Sequence, residues 1–257
     1  MRVALSKALI ESQLTTKFGE DVFKINDRSY AEVLSTGIPA VDELALGFPR
    51  GAVTEIFGSE SSGRTSVMLS ALAHATTHDE VCALVDTNDV LDPQSAVTAG
   101  LDLERLLWIR CGGNLERSFK AADLLLQGGG FGLVFLDLGD VQAKEARRII
   151  SSWWYRFRRV VEDTTTALVV IAQDSCVRSC ASLTLALGNS EPVWSKVDEN
   201  VDVITRSPAQ PFGRNATRTL KQGSQTVTHA NVLKASSINL ECVKPNHMGG
   251  REIQFCV

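Results

Sequence analysis

The sequence predicts an α/β fold in which helices flank a mostly parallel central sheet. Near-continuous apolar runs of strand length alternate with segments of helical spacing, the pattern of strands buried on both faces. A glycine-framed loop, Gly58-Ser59-Glu60-Ser61-Ser62-Gly63-Arg64-Thr65, joins one such run to a helical segment. The chain of 257 residues is 44% hydrophobic and 22% charged, ordinary globular usage that excludes wholesale disorder. With 26 Lys+Arg against 30 Asp+Glu, the net charge of −4 argues against a protein that coats nucleic acid by bulk positive charge. A local basic patch remains compatible with it.

The elements follow in order. Lys7 to Lys17 has helical spacing, with Leu5, Leu9, Ile10 and Leu14 apolar, and Phe18-Gly19 stops it. Residues 1–33 are thus a helix and linker. Gly37 to Gly47 reads as a turn and short helix. Thr54 to Phe57 is a strand running into the glycine-framed loop, and Thr65 to Ala75 is a helix with Val67, Met68, Leu69 and Leu72 on its buried face. Val81 to Val85 and Leu106 to Arg110 are the next strands. A helix over Leu115 to Gln127 ends at Gly128-Gly129-Gly130. The strand Leu133 to Leu136 leads to Asp137, a long helix spans Gln142 to Glu162, and Ala167 to Ala172 is again a strand.

Beyond Cys180 the composition shifts. Ala181 to Leu187 alternates like a strand and completes a core of residues 34–187. Residues 188–235 are rich in Ser, Thr, Asn, Gln and Pro and are expected to be a mobile insertion. Ile238 to Val243 and Arg251 to Val257, around Pro245-Asn246 and Gly249-Gly250, predict a β-hairpin over 236–257 that completes the core.

No apolar run approaches the roughly 20 residues of a membrane helix, and the opening residues lack the unbroken apolar core of a signal peptide. A cytoplasmic protein with reduced, mostly buried thiols at Cys82, Cys111, Cys176, Cys180, Cys242 and Cys256 is the expectation. Cys176 and Cys180 have no second Cys/His pair at ligand spacing, which favours packing over metal.

The loop from Gly58 to Thr65 has the context of a phosphate-binding loop. Its glycines let the backbone wrap an anion, N–H groups converge, and the following helix N-terminus adds a favourable dipole. The Thr65 hydroxyl and Asp137 are candidate Mg²⁺ ligands, and Gly58, Ser61, Ser62, Gly63 and Arg64 candidate phosphate contacts. Arginine at 64 stands where this motif has lysine, and a planar guanidinium is not equivalent to a compact ammonium. A turn kept only for the sheet is the alternative reading.

The stretch LSTGIPAVDELALGFPRGAVTEIFGSESSGRTS (Leu34 to Ser66) resembles the RecA recombinase family, whose loop reads GPESSGKT. The likeness continues through LVDTNDVLDPQSA (Leu84 to Ala96), LVFLD (Leu133 to Asp137) and LVVIAQ (Leu168 to Gln173), and covers the N-terminal helix with KFG and the final hairpin. It implies a RecA-like core and a site for ATP and Mg²⁺ in which Thr65, Asp92, Asp137 and the sensor-like Gln173 match the family. Arg64 departs. So does Asn88, where the family has the glutamate that activates water: an amide orients water but cannot take its proton. Ser95 stands where an aromatic stacks on adenine. These departures imply a nucleotide site that has lost its chemistry. Both DNA-facing loops of the family also look trimmed here, one after Asp137 and one after Gln173.

This pattern is similar to the ImuA group, short RecA relatives of damage-induced mutagenesis cassettes. The resemblance implies an accessory or scaffold protein of SOS-type translesion synthesis. Its partners would be a Y-family-like polymerase protein and an error-prone replicative polymerase, with DNA and RecA as further candidates. A divergent RecA paralogue acting as a DNA-dependent ATPase is the alternative. On the predicted helix from Gln142, Ile149, Ile150, Trp153, Phe157, Val160 and Val161 share an apolar side, and Lys144, Arg148, Tyr155 and Arg159 share the other with Arg158 flanking; with Arg156 these form a candidate face for nucleic acid or a partner. A solvated outer face is the other reading. The stretch 206–235 holds Arg206, Arg214, Arg218, Lys221 and Lys234 and no acid, a second candidate beside a plain solvated loop. By the resemblance, Leu5, Leu9, Ile10 and Leu14 dock on another copy, giving a homo-oligomer, or on a polymerase subunit.

Overall fold

The strand-length apolar runs pair into one eight-stranded sheet in a computed structural model that describes residues 32–146, 148–194, 233–245 and 250–256. Val33–Leu34 (β1) and Phe48–Pro49 (β2) form a small antiparallel pair beside it. The main strands are Ala52–Gly58 (β3), Cys82–Asp86 (β4), Leu106–Arg110 (β5), Leu133–Leu138 (β6), Ala167–Ala172 (β7), Leu183–Trp194 (β8), Leu233–Lys244 (β9) and Gly250–Cys256 (β10). Their order is β10-β9-β8-β3-β7-β6-β4-β5. From β8 to β5 all neighbours are parallel; β9 and β10 add an antiparallel edge. The helices are Pro39–Ala45 (α1), Arg64–Thr77 (α2), Pro93–Thr98 (α3), Leu115–Gly128 (α4), Ala143–Ala146 (α5) and Ser151–Val161 (α6).

Both sheet faces are covered, which is why the strands read as unbroken apolar runs. On one face Val41, Val67, Met68, Leu72 and Ala96 pack against Ile56, Leu84, Phe135 and Val169. On the other, Phe119, Leu126, Trp154, Phe157 and Val161 pack against Val53, Val85, Leu136 and Val170. Neighbours along a strand, such as Leu84 and Val85, thus face opposite layers, and each large side chain so buried contributes about 1.5–3 kcal/mol.

Local signals set the helix ends. Pro39 and Pro93 open α1 and α3 with a preset φ. Asn114 caps α4 by accepting from Arg117 N–H at 3.0 Å, and Gly129 at φ 66 ends it. Gly47, at φ 98, passes so close to Leu34 that a Cβ would lie 2.5 Å from its carbonyl oxygen, so only glycine fits.

Two expectations need correction. The helix expected over Gln142 to Glu162 is two pieces, α5 and α6, with Ile150 in extended backbone at φ −66, ψ 126 between them. Ser151 and Ser152 open α6, a place serine tolerates better than a helix interior. The break shifts the helical phase. Ile150 is 67% exposed and Trp154, not Trp153, is buried at 2%. Lys144 and Arg148 therefore do not share one helical face with Tyr155 and Arg159.

The second concerns the strand expected to end at Leu187, which runs on to Trp194 and pairs antiparallel with β9. Backbone bonds of an antiparallel edge form equally well under polar side chains, so composition hid this extension. The polar stretch begins and ends inside a strand pair, and residues 195–232 lie outside the described residues. The expected terminal hairpin is β9 with β10.

Candidate functional site

β3 delivers the chain to the glycine-framed loop at the C-terminal end of the parallel strands, the usual ligand edge of an open α/β sheet. At Gly58 a Cβ would lie 2.5 Å from the Leu187 carbonyl oxygen and 2.6 Å from Ser62 Oγ. Only a glycine passes there. The backbone turns through left-handed conformations at Ser61 (φ 60) and Gly63 (φ 85) and enters α2 at Arg64. A cavity of about 240 Å³ lies over this helix start, lined by the loop residues Ser61 to Ser66 and by Ile238 of β9. Ser62 is 1% exposed, and among the described residues its hydroxyl has no hydrogen-bond partner. A buried hydroxyl left so costs about 1–3 kcal/mol, which a ligand oxygen would recover.

Asp137 lies in register with Asp86 on the neighbouring β4 and is buried. Its Oδ1 accepts from Gly139 N–H at 2.8 Å. Burial pushes its pKa up to about 6; the Gly139 bond opposes this, Asp86 and Asp140 add to it, and Arg64 pulls it down. Arg64 is only 8% exposed and donates from Nη1 to the Gly139 carbonyl at 3.1 Å. Burial lowers its pKa, while Asp137, Asp140 and Glu60 attract its charge. A Cβ on Gly139 would lie 2.9 Å from Asp137 Oδ1 and 3.4 Å from Arg64 Nη1, so the three groups form one tight cluster.

These residues suit a phosphate group. Beside Asp137 the charges are mixed: the buried Arg64 guanidinium opposes a magnesium ion, whereas Asp86 and Asp140 favour a cation.

Asn88 is exposed in the loop after β4. Its neighbour Thr87 donates N–H to the Asp137 carbonyl at 3.3 Å and accepts from Gly113 N–H at 2.6 Å, which fastens this loop to the end of β6. Thr65 is exposed at the helix start and Gln173 is half-buried just past β7. Asp92 serves as the cap of α3, accepting from the backbone N–H groups of Gln94 and Ser95 and from the Ser95 hydroxyl. It does not line the cavity of the phosphate loop. The sequence reading missed Gly139, Asp140 and Ile238; a glycine two residues after Asp137 was the visible hint for the first.

Residues 3–173 match the RecA N-terminal domain family. The chain belongs to that family. Over 140 residues this RecA-family chain is 36% identical to Protein RecA of Acinetobacter baumannii, covering 52% of the chain and 39% of the relative. Against Protein RecA of Leifsonia xyli subsp. xyli the identity is 30% over 189 residues, 65% of the chain and 52% of the relative. For the Streptomyces venezuelae protein it is 38% over 140 residues, with 36% of the relative covered. The chain thus spans about a third to a half of the length of these relatives. Its fold is similar to the crystal structure of the RadB recombinase, with a TM-score of 0.57 at 16% identity, covering 88% of this chain and 96% of that one.

In this RecA-family chain another buried carboxylate stands three residues before Gly58. Glu55 of β3 is fully buried and accepts from Cys176 N–H at 2.5 Å, Val177 N–H at 2.7 Å and Ser175 Oγ at 2.8 Å. It fixes the segment that follows Gln173. Cys176 and Cys180 are buried free thiols, and among the described residues no cluster of His, Cys, Asp or Glu can hold a metal ion. Among them, too, no helix is long and apolar enough to cross a membrane.

Of the basic candidates, Tyr155 is 57% exposed, Arg159 and Arg148 are exposed and Arg158 is half-buried. Arg156 is committed: its Nε and Nη2 donate to Asp123 at 2.5 and 2.6 Å, and its guanidinium lies 5.9 Å from the Trp153 ring centre. Arg214, Arg218 and Lys221, like Leu5, Leu9, Ile10 and Leu14, lie outside the described residues.

Proposed function

We propose that this RecA-family chain is an accessory or scaffold protein of error-prone translesion DNA synthesis that holds partners rather than turning over ATP. One observation carries the reading: the Arg64 guanidinium is buried against the Gly139 carbonyl beside Asp137, where hydrolysis would need a metal ion. The neutral amide at Asn88 supports it, because it cannot serve as the general base. Tyr155 and Arg159 on α6 offer a ring to stack a base and a charge to meet a phosphate, which supports contact with single-stranded DNA. The resemblance to the ImuA group supplies the protein partners, a Y-family-like polymerase protein and an error-prone replicative polymerase. Leu5, Leu9, Ile10 and Leu14 are the proposed docking stripe for one of them or for another copy.

ATP turnover measured with and without single-stranded DNA tests this. The expected rate is at background and unchanged by Asp137→Ala. DNA-stimulated turnover abolished by Asp137→Ala would instead establish the second reading, a DNA-dependent ATPase of recombination or repair. That reading draws on the exposed Thr65 at the start of α2 and on Asp137 near the end of β6.

A further inference from the structure

We infer that the hollow between α4 and the break separating α5 from α6 is a two-fold contact between two copies of this chain. It is a different surface from the stripe at Leu5, Leu9, Ile10 and Leu14, and it does not depend on what the loop between β3 and α2 binds.

The helix break builds the hollow. α5 ends at Ala146, the backbone is extended at Ile150, and α6 starts at Ser151. Ile150 is left 67% exposed at the lip of a cavity of about 450 Å³. Leu115, Glu116 and Phe119 of α4 line one wall; Arg148, Ile150 and Trp153 line the other, with Glu145 beside them. The Phe119 and Trp153 rings, with centres 5.6 Å apart, join the two walls. Buried Trp154 and Phe157 pack on Phe119 from within, so the hollow is held by the core.

This surface is complementary to itself. A large aliphatic side chain left in water beside an apolar hollow supplies both the knob and the hole of a contact between identical faces. Each wall also carries both signs of charge. Glu116 pairs with Lys120 at 2.7 Å on α4, and Glu145 and Arg148 are exposed on the opposite wall. With the two-fold axis running along the hollow, the α6 wall of each copy lies over the α4 wall of the other. Ile150 then enters against Leu115 and Phe119, Arg148 comes over Glu116, and every contact is made twice.

Sedimentation velocity of the full chain over a concentration series tests the inference. A reversible equilibrium between one chain and two is expected. Ile150→Asp and Arg148→Glu should each weaken it by about tenfold or more. Both side chains are exposed, so neither change should lower the melting temperature of the dilute chain. Glu116→Arg should weaken association in the same way. Mixing Arg148→Glu with Glu116→Arg should restore the two-chain species, because each variant then offers the charge that the other lacks. Leu9→Asp, which spoils the N-terminal stripe, should leave that species in place. A parent chain that stays monomeric up to about 0.1 mM overturns the inference. So does undiminished association of folded Ile150→Asp or Arg148→Glu, or a mixture that associates no better than its components. Loss of the two-chain species in Leu9→Asp would assign association to the stripe and likewise overturn it. If a charge variant does not fold, the parent chain, Ile150→Asp and Leu9→Asp decide.

Discussion

Replacing Asp137 with asparagine should stabilise the folded chain at neutral pH. Asparagine keeps an acceptor for the Gly139 N–H that Asp137 meets at 2.8 Å, and it removes a charge that burial disfavours. A carboxyl displaced from 3.8 to about 6 holds its proton more tightly in the folded chain, by about 3 kcal/mol at full effect. The sign follows from linkage. The native state binds the proton more readily than the unfolded state, so the acid costs stability once pH rises past the unfolded value near 4, and the whole cost is present above about 6. The gain from Asp137→Asn should thus be about 2–3 kcal/mol above pH 6 and vanish towards pH 4. In melting temperature that is about 5–10 °C. Urea titrations of both chains across this range read it directly. An asparagine variant that is less stable at neutral pH, or a difference that does not shrink on acidification, refutes the reasoning.

Glu55→Ala should cost about 2–5 kcal/mol in a denaturant melt, because the buried N–H groups of Cys176 and Val177 lose their acceptor; Glu55→Gln, which keeps one carbonyl oxygen, should cost less. Asp123→Ala should cost about 1 kcal/mol by releasing the two-bond contact with Arg156, whereas Arg159→Ala should change stability by less than about 0.5 kcal/mol and weaken binding to single-stranded DNA. Burial pushes the Cys82 thiol up to about 12 and the Cys176 thiol up as well, so both should resist a disulfide reagent in the native chain and react on unfolding; peptide mapping that finds either labelled before unfolding refutes their burial.

The parallel core was legible because its signals are local and strong. Ala167 to Ala172 and Leu106 to Arg110 stand as strands at the bounds read from their apolar runs. The turn from β3 into α2 followed from its glycines. What failed was long-range or phase-dependent. Two serines and one extended residue, Ile150, split a helix whose apolar spacing looked continuous, leaving Ile150 exposed and Trp154 buried, while Trp153 packs half-buried against the same core. The extension of β8 was hidden because its partner β9 lies about forty residues on, and pairing at that distance leaves no periodic trace. Arg64 was visible as a departure, but its partner was not. Nothing in sequence spacing says that a side chain on α2 turns to the Gly139 carbonyl, 75 positions away.

That contact gives the departures around Asp137 a common physical cause. A lysine in a phosphate loop is a point charge on a flexible stem, free to follow a ligand. The arginine here ties the start of α2 to the turn after β6, and attraction from Asp137, Asp140 and Glu60 reinforces the tie. Arg64 opposes a metal ion beside Asp137 while Asp86 and Asp140 favour one, and the exposed Asn88 carries an amide that cannot act as a general base. A neutral amide at Asn88 then costs the fold nothing. The loop has thereby become able to hold its shape through the chain's own side chains. Among the described residues the Ser62 hydroxyl has no hydrogen-bond partner, and the start of α2 presents its first N–H groups to the same cavity. On the proposed scaffold reading, such a site grips a ligand and does not transform it.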